Sequence, residues 1–162
     1  MYTDGRNDGA YHFFSDASNG VKSVAGGVGM LAGGPIQIFS QTIHLAAPDS
    51  HSAEVTAAGT NMNGVLPVNG VLQEAHIRGG APTPFYLDSK TTIYVANDDA
   101  AAKKSVWLKR RVDVLHDCVA LGEVTPLYIS EKDMAADPMT KYLPYAVWQR
   151  HMNYIINDSS QH

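Results

Sequence analysis

The strongest constraint in the chain is a pair of short aromatic runs that each stop at an aspartate. They are Tyr11-His12-Phe13-Phe14-Ser15-Asp16 and Phe85-Tyr86-Leu87-Asp88. Runs this short and this rich in aromatics suit buried strands. A carboxylate ending such a strand sits beside a low-dielectric core, where an unpaired charge is costly. Two of them close together would repel and raise each other's pKa, unless a cation lay between them. Taken singly, each aspartate is more readily a turn starter or a cap on the next helix. As a pair with few Cys or His neighbours, they are candidates for holding a hard cation, Mg²⁺ or Mn²⁺ rather than zinc.

The segments around them set the architecture. Gly26 to Leu31 reads as a second strand, Gly33-Gly34-Pro35 as a hairpin turn, and Ile36 to Ile43 as a third strand. Strands joined in this way form an antiparallel meander. Asp49 or Ser50 can cap a helix running to about Asn61. Pro67 is expected to interrupt it, with helix resuming from Val68 to Ile77 and ending at Gly79-Gly80. After the Phe85–Asp88 strand come a short helix from Ser89 to about Ala96 and a long one from Ala101 to about Ala120. Val124 to Ile129 is a fifth strand, and Ala146 to Ile156, beyond Pro144, a last helix. A meander followed by alternating helices and strands predicts a mixed α/β sheet with helices on both faces. The domain is expected over residues 11–156, with a flexible segment before it (1–10) and a tail after it (157–162).

Hydrophobic residues make up 44% of the 162, enough for one ordinary core, and no apolar run is long enough to span a bilayer. Nothing after Met1 resembles a secretory leader, and Cys118 stands alone. An intracellular setting is therefore expected. The net charge of −4 speaks against strong unaided binding to nucleic acid. Yet Lys103, Lys104, Lys109, Arg110 and Arg111 hold five of the 12 Lys and Arg residues. That cluster is either a local phosphate-binding patch or a solvated helix face. The seven His show no metal-ligand spacing.

An acid ending the first strand, a Glu in the helix after a meander and an acid ending the fourth strand together resemble the ribonuclease H fold. An Asp near the last helix completes the set. The closer resemblance is to the ribonuclease H domain of copia-type retrotransposon polyproteins. Ser15-Asp16-Ala17-Ser18 resembles its first aspartate motif, and Ser50-His51-Ser52-Ala53-Glu54-Val55-Thr56-Ala57 its Ser-Ser-X-Glu-Ala-Glu-Tyr helix start. Leu87-Asp88-Ser89-Lys90-Thr91-Thr92-Ile93 resembles Val-Asp-Asn-X-Ser-Ala-Ile. Ala136-Asp137-Pro138-Met139-Thr140-Lys141-Tyr142-Leu143 resembles Ala-Asp-Ile-Leu-Thr-Lys-X-Leu. Lys103-Lys104-Ser105-Val106 stands where the family has Thr-Lys-His-Ile, with Ser105 in place of the histidine. Tyr2-Thr3-Asp4-Gly5 imitates the first motif of cellular ribonucleases H, but no apolar strand leads into Asp4, and Asp16 is preferred.

The resemblance implies a five-stranded ribonuclease H-like fold and cleavage of the RNA strand of an RNA–DNA hybrid with two Mg²⁺ ions, Mn²⁺ being a substitute. It implies Asp16 bridging both ions, Asp137 on the water-activating side, and Glu54 and Asp88 on the leaving-group side. Pro138 also marks Asp137 as a helix N-cap, a competing duty for that carboxylate. Ala17, Ser18, Ser89, Lys103, Lys104, Lys109 and Arg110 are the expected nucleic-acid contacts. The implied partners are the hybrid and a reverse transcriptase domain in the same polyprotein, in cytoplasm, virus-like particle or nucleus. A non-catalytic module of this fold, or a relative cutting DNA, are the other readings.

Overall fold

The computed structural model describes residues 10–44, 49–98 and 109–156. Its strands are β1 (His12–Ser18), β2 (Ser23–Leu31), β3 (Gly34–Ile43), β4 (Thr83–Leu87) and β5 (Val124–Tyr128). Its helices are α1 (Ser50–Glu74), α2 (Lys90–Asn97), α3 (Lys109–Ala120) and α4 (Tyr145–Ile155), with 3-10 turns at Glu131–Asp133 and Asp137–Met139. The sheet order is β3-β2-β1-β4-β5. β1, β2 and β3 pair antiparallel, while β4 runs parallel to both β1 and β5. This is the expected meander with a parallel half added.

β1 is central, and its residues His12 to Ala17 are buried on both faces. Period-two alternation sends Phe13 into a core with Met62, Val65, Phe85, Leu87 and Leu115, on the α1 side. Phe14 faces the other way, into a core with Val28, Met30, Met134, Tyr154 and Ile155. The aromatic runs of β1 and β4 meet side by side. Phe13 stacks on Phe85 at 5.6 Å and Phe14 on Tyr86 at 5.0 Å, following the ladder pairs Phe13↔Phe85 and Phe14↔Tyr86.

Several boundaries differ from expectation. The hairpin turn is Ala32-Gly33, both at positive φ (50° and 79°), and Gly34-Pro35 already belong to β3. A two-residue turn of this kind needs positive φ at both positions. β3 is an edge strand, so Pro35 is tolerated there. Pro67 does not interrupt α1, which continues through it for 25 residues. Pro67 and Asn63 lie on the exposed face, so the carbonyl that loses its helical donor turns to water. Met62, Val65 and Leu72, on either side, anchor both halves in one core. α1 then ends well before Gly79-Gly80. His76 takes a left-handed φ of 57°, His76 N–H donates to Gln73 O and Ile77 N–H to Leu72 O, the bond pattern of a Schellman cap. Of the long helix expected from Ala101, residues 109–120 are described and 99–108 lie outside the described residues. Among the described residues no helix is long and apolar enough to cross a membrane.

Candidate metal centre

The ladder that stacks the aromatics also levels the two aspartates. β1 and β4 are offset by 72 residues (85 − 13), and Asp88 follows Asp16 by the same 72 (88 − 16). Continuing that register two residues past its last pair, Phe14↔Tyr86, sets Asp88, just beyond β4, beside Asp16. Asp16 is not the last residue of its strand, since β1 continues to Ser18; Asp88 stands just past the end of β4. Glu54 reaches the pair from the start of α1. Asp49 caps that helix by accepting from Ser52 N–H at 2.7 Å. The small side chains of Ala17, Ala25, Ala53 and Ala57 form the contact that lets α1 approach β1 and β2 closely. Ligand oxygens of Asp16, Glu54 and Asp88 consequently all lie within 4.8 Å of one another.

Asp137 joins from the opposite side. Gly26 is the ladder partner of Asp16, and a Cβ there would lie 2.5 Å from Thr140 Cγ2, 2.9 Å from Met139 Cβ and 3.1 Å from Ala136 O. The missing side chain lets the turn at Asp137–Met139 rest directly on β2. Thr140 then donates a hydrogen bond to Asp16 Oδ2, and the Asp137 carboxylate comes close enough for its charge to raise the pKa of Asp16, though it stands outside the cluster of Asp16, Glu54 and Asp88. The expected capping role of Asp137 is not found. Ala136 occupies the N-cap position, Asp137 and Pro138 lie within the 3-10 turn, and no side-chain cap bond forms. Its carboxylate instead pairs with Lys141, Oδ1 to Nζ at 3.1 Å.

The electrostatics follow from burial. Desolvation first, and then the neighbouring carboxylate of Asp137, push Asp16 up to about 7, while Thr140 and Lys141 pull it down. Desolvation and then Asp16 and Asp88 raise Glu54 to about 9, against a hydrogen bond from the backbone of Ala17. Asp88 is raised to about 6 by burial and then by Asp16. Asp137 is raised by desolvation, with Lys141 opposing. At neutral pH Glu54 therefore keeps its proton and Asp16 part of one, and a bound cation would favour the ionised forms.

The other expected contacts scatter. Ala17 is buried and spends its backbone on Glu54, Ser18 is half-buried, and Ser89 uses its hydroxyl to cap α2 by accepting from Thr92 N–H. Lys109 and Arg110 are exposed on the first turn of α3. Lys103, Lys104 and Asp4 lie outside the described residues. Sequence pattern alone gives Thr140 and Lys141 no role, although the Asp137/Lys141 spacing of four is a readable ion-pair signal. A cavity of about 330 Å³, lined by Tyr11, Leu72, Arg78 and Thr83, opens where β1 and β4 begin, away from the acids.

Among solved structures, the chain is similar to the N-terminal ribonuclease H domain of a Mycobacterium tuberculosis protein, at 13% identity and TM-score 0.62, covering 87% of this chain and 97% of that one. It is also similar to ribonuclease H1 of the halophilic archaeon Halobacterium salinarum, at 14% identity and TM-score 0.58, covering 80% and 92%. A foamy viral protease–reverse transcriptase solved with an RNA/DNA hybrid matches at 14% identity and TM-score 0.55, over 83% of this chain and 20% of that one. No family model matches, and no curated protein matches by sequence. The fold is ribonuclease H-like. A copia-type origin is not established by these neighbours.

Proposed function

We propose that this chain is a metal-dependent endonuclease that hydrolyses the RNA strand of an RNA–DNA hybrid, within the reverse transcription machinery of a retroelement. One observation carries the reading: ligand oxygens of Asp16, Glu54 and Asp88 converge within 4.8 Å, with the charge of Asp137 near enough to act on Asp16. The donor set fits a hard divalent cation. It is all oxygen, it is more acidic than Lys141 alone can balance, and the buried Glu54 Oε2 has no hydrogen-bond partner. Asp16 would serve two Mg²⁺ ions, with Asp137 on one side and Glu54 and Asp88 on the other. When bound, such an ion pair supplies an activated water and stabilises the departing oxygen of an in-line displacement.

The chain's own residues prepare that chemistry. The Thr140 hydroxyl donates to Asp16, and the backbone of Ala17 favours the ionised form of Glu54. The pairing of β1 with β4 brings Asp16, inside β1, next to Asp88, the residue that follows β4. Hybrid as substrate is supported by the neighbours solved with it, a compost-derived ribonuclease H1 and the foamy viral enzyme. Selection of RNA would read 2′-hydroxyls across the minor groove near Glu54, Ala17 and Ser18. With a net charge of −4, the grip on phosphate comes from Lys103, Lys104, Lys109 and Arg110 and from an attached reverse transcriptase domain.

The test is cleavage of labelled RNA in a hybrid, in single-stranded form and opposite RNA, with Mg²⁺, Mn²⁺ or a chelator. Hybrid-only, ion-dependent cleavage yielding 5′-phosphate and 3′-hydroxyl ends is expected. Asp16→Asn and Asp88→Asn should each lose at least ~100-fold. Full activity in both variants sinks the assignment, and tight hybrid binding without cleavage identifies a non-catalytic module.

A further inference from the structure

Lys141 is the one cation placed among the four acids by the described residues. Its Nζ lies 3.1 Å from Asp137 Oδ1 and 3.6 Å from Glu131 Oε1. The backbone holds it there: Lys141 N–H donates to Asp137 O at 3.2 Å, and the preceding residue, Thr140, is bonded to Asp16 and packed against Gly26. Its charge lowers the pKa of Asp16, Glu54 and Asp88, so its field covers the whole cluster. The two sides of Asp16 are therefore unequal. Toward Glu54 and Asp88 lie carboxylates with a buried unpartnered oxygen, Glu54 Oε2. Toward Asp137 lies a carboxylate whose Oδ1 is equally buried and accepts no hydrogen bond, but which is already ion-paired with the Lys141 ammonium.

We propose that Lys141 is a tethered competitor for Asp137, so that a divalent ion between Asp16 and Asp137 must displace its ammonium, while an ion among Asp16, Glu54 and Asp88 need not. This rests on the metal-dependent reading above and deepens it. The two ions then bind in order, the second weakly until something else contributes ligands to it. A scissile phosphate has oxygens suited to that role, so full loading would be tied to substrate arrival. Lys141 is a positioning residue in this account, because it acts on the ions through Asp137.

The experiment is calorimetric titration of the full chain with Mn²⁺ and with Mg²⁺, without substrate, near pH 8. Wild type should show a tighter and a weaker event. In Lys141→Met the weaker event should tighten roughly tenfold while the tighter one changes little, and Lys141→Arg should behave as wild type. A weaker event unchanged or further weakened in a folded Lys141→Met chain overturns the proposal. If that variant fails to fold, the Lys141 side-chain resonance of wild type is followed by NMR during Mg²⁺ titration. It should move with the second event, and a resonance that stays fixed through both events overturns the proposal equally. Wild type binding no divalent ion sinks the metal reading itself. Two bound ions with an unaltered Lys141 response sink only the role of Lys141.

Discussion

Gly26 stands directly opposite Asp16 in the β1–β2 ladder, and its bare Cα is the space into which Thr140 fits. A residue with no chemistry of its own thus decides whether Asp137 can reach Asp16. Gly26→Val is predicted to lift the 136–140 turn off β2, at a cost of about 1–3 kcal/mol from overpacking. Thermal melts should report that loss, and hybrid cleavage should fall by more than the unfolded fraction explains. A variant as stable and as active as wild type would show that the turn has slack here.

Glu54, Asp16 and Asp88 all have folded-state pKa values raised above the usual carboxylate range, to about 9, 7 and 6. For a raised pKa, the stabilising contribution is complete below the unfolded value, near pH 4, and is lost as pH rises through the folded value. Stability in chelator should therefore decline between about pH 5 and pH 9. Mg²⁺ should offset much of that decline by binding the ionised cluster. Urea titrations across this range, with and without Mg²⁺, measure both effects. A flat chelator curve would contradict the crowding of these charges.

Thr140 donates to Asp16, and that bond holds the carboxyl lower than burial alone would. Thr140→Val is predicted to raise the acidic limb of the pH–rate profile by roughly 0.5–1 unit. Thr140→Ser should restore it. A profile identical in all three chains would mean that the hydroxyl has no influence on ionisation at the site.

Pro67 lies on the exposed side of α1, where the helix continues without its N–H. Pro67→Ala should restore the bond to Asn63 and stabilise the chain by about 1–2 kcal/mol, less than the full interior-proline cost because the unfolded chain gains freedom. Chemical denaturation midpoints check this, with cleavage rates unchanged.

The elements that sequence revealed best were those whose signal is local and periodic. The aromatic alternation of β1 and β4 announced both strands, and Asp49 announced the start of α1. The levelling of Asp16 with Asp88 was not local, because it is a register between strands with α1 between them in sequence. Pro67 and Gly79-Gly80 misled about α1 because propensity yields to a shared core and to the His76 cap. Pro138 suggests a capping duty for Asp137 beside its place in the metal set, whereas its carboxylate pairs with Lys141. Thr140 carries no motif that points across 124 residues to Asp16. Such contacts exist only once the turn has settled on Gly26.

The 72-residue offset between β1 and β4 also says where the molecule can vary. What keeps Asp16 and Asp88 level is the hydrogen-bonded ladder, which is indifferent to the length of chain joining the strands. An insertion at an exposed connection such as Gly79–Pro82 should leave the pair untouched. A single residue added inside β1 ahead of Asp16 would turn that carboxylate to the opposite face of the sheet. Tolerance to insertion, mapped residue by residue, would therefore outline the two strands as silent zones in an otherwise permissive chain.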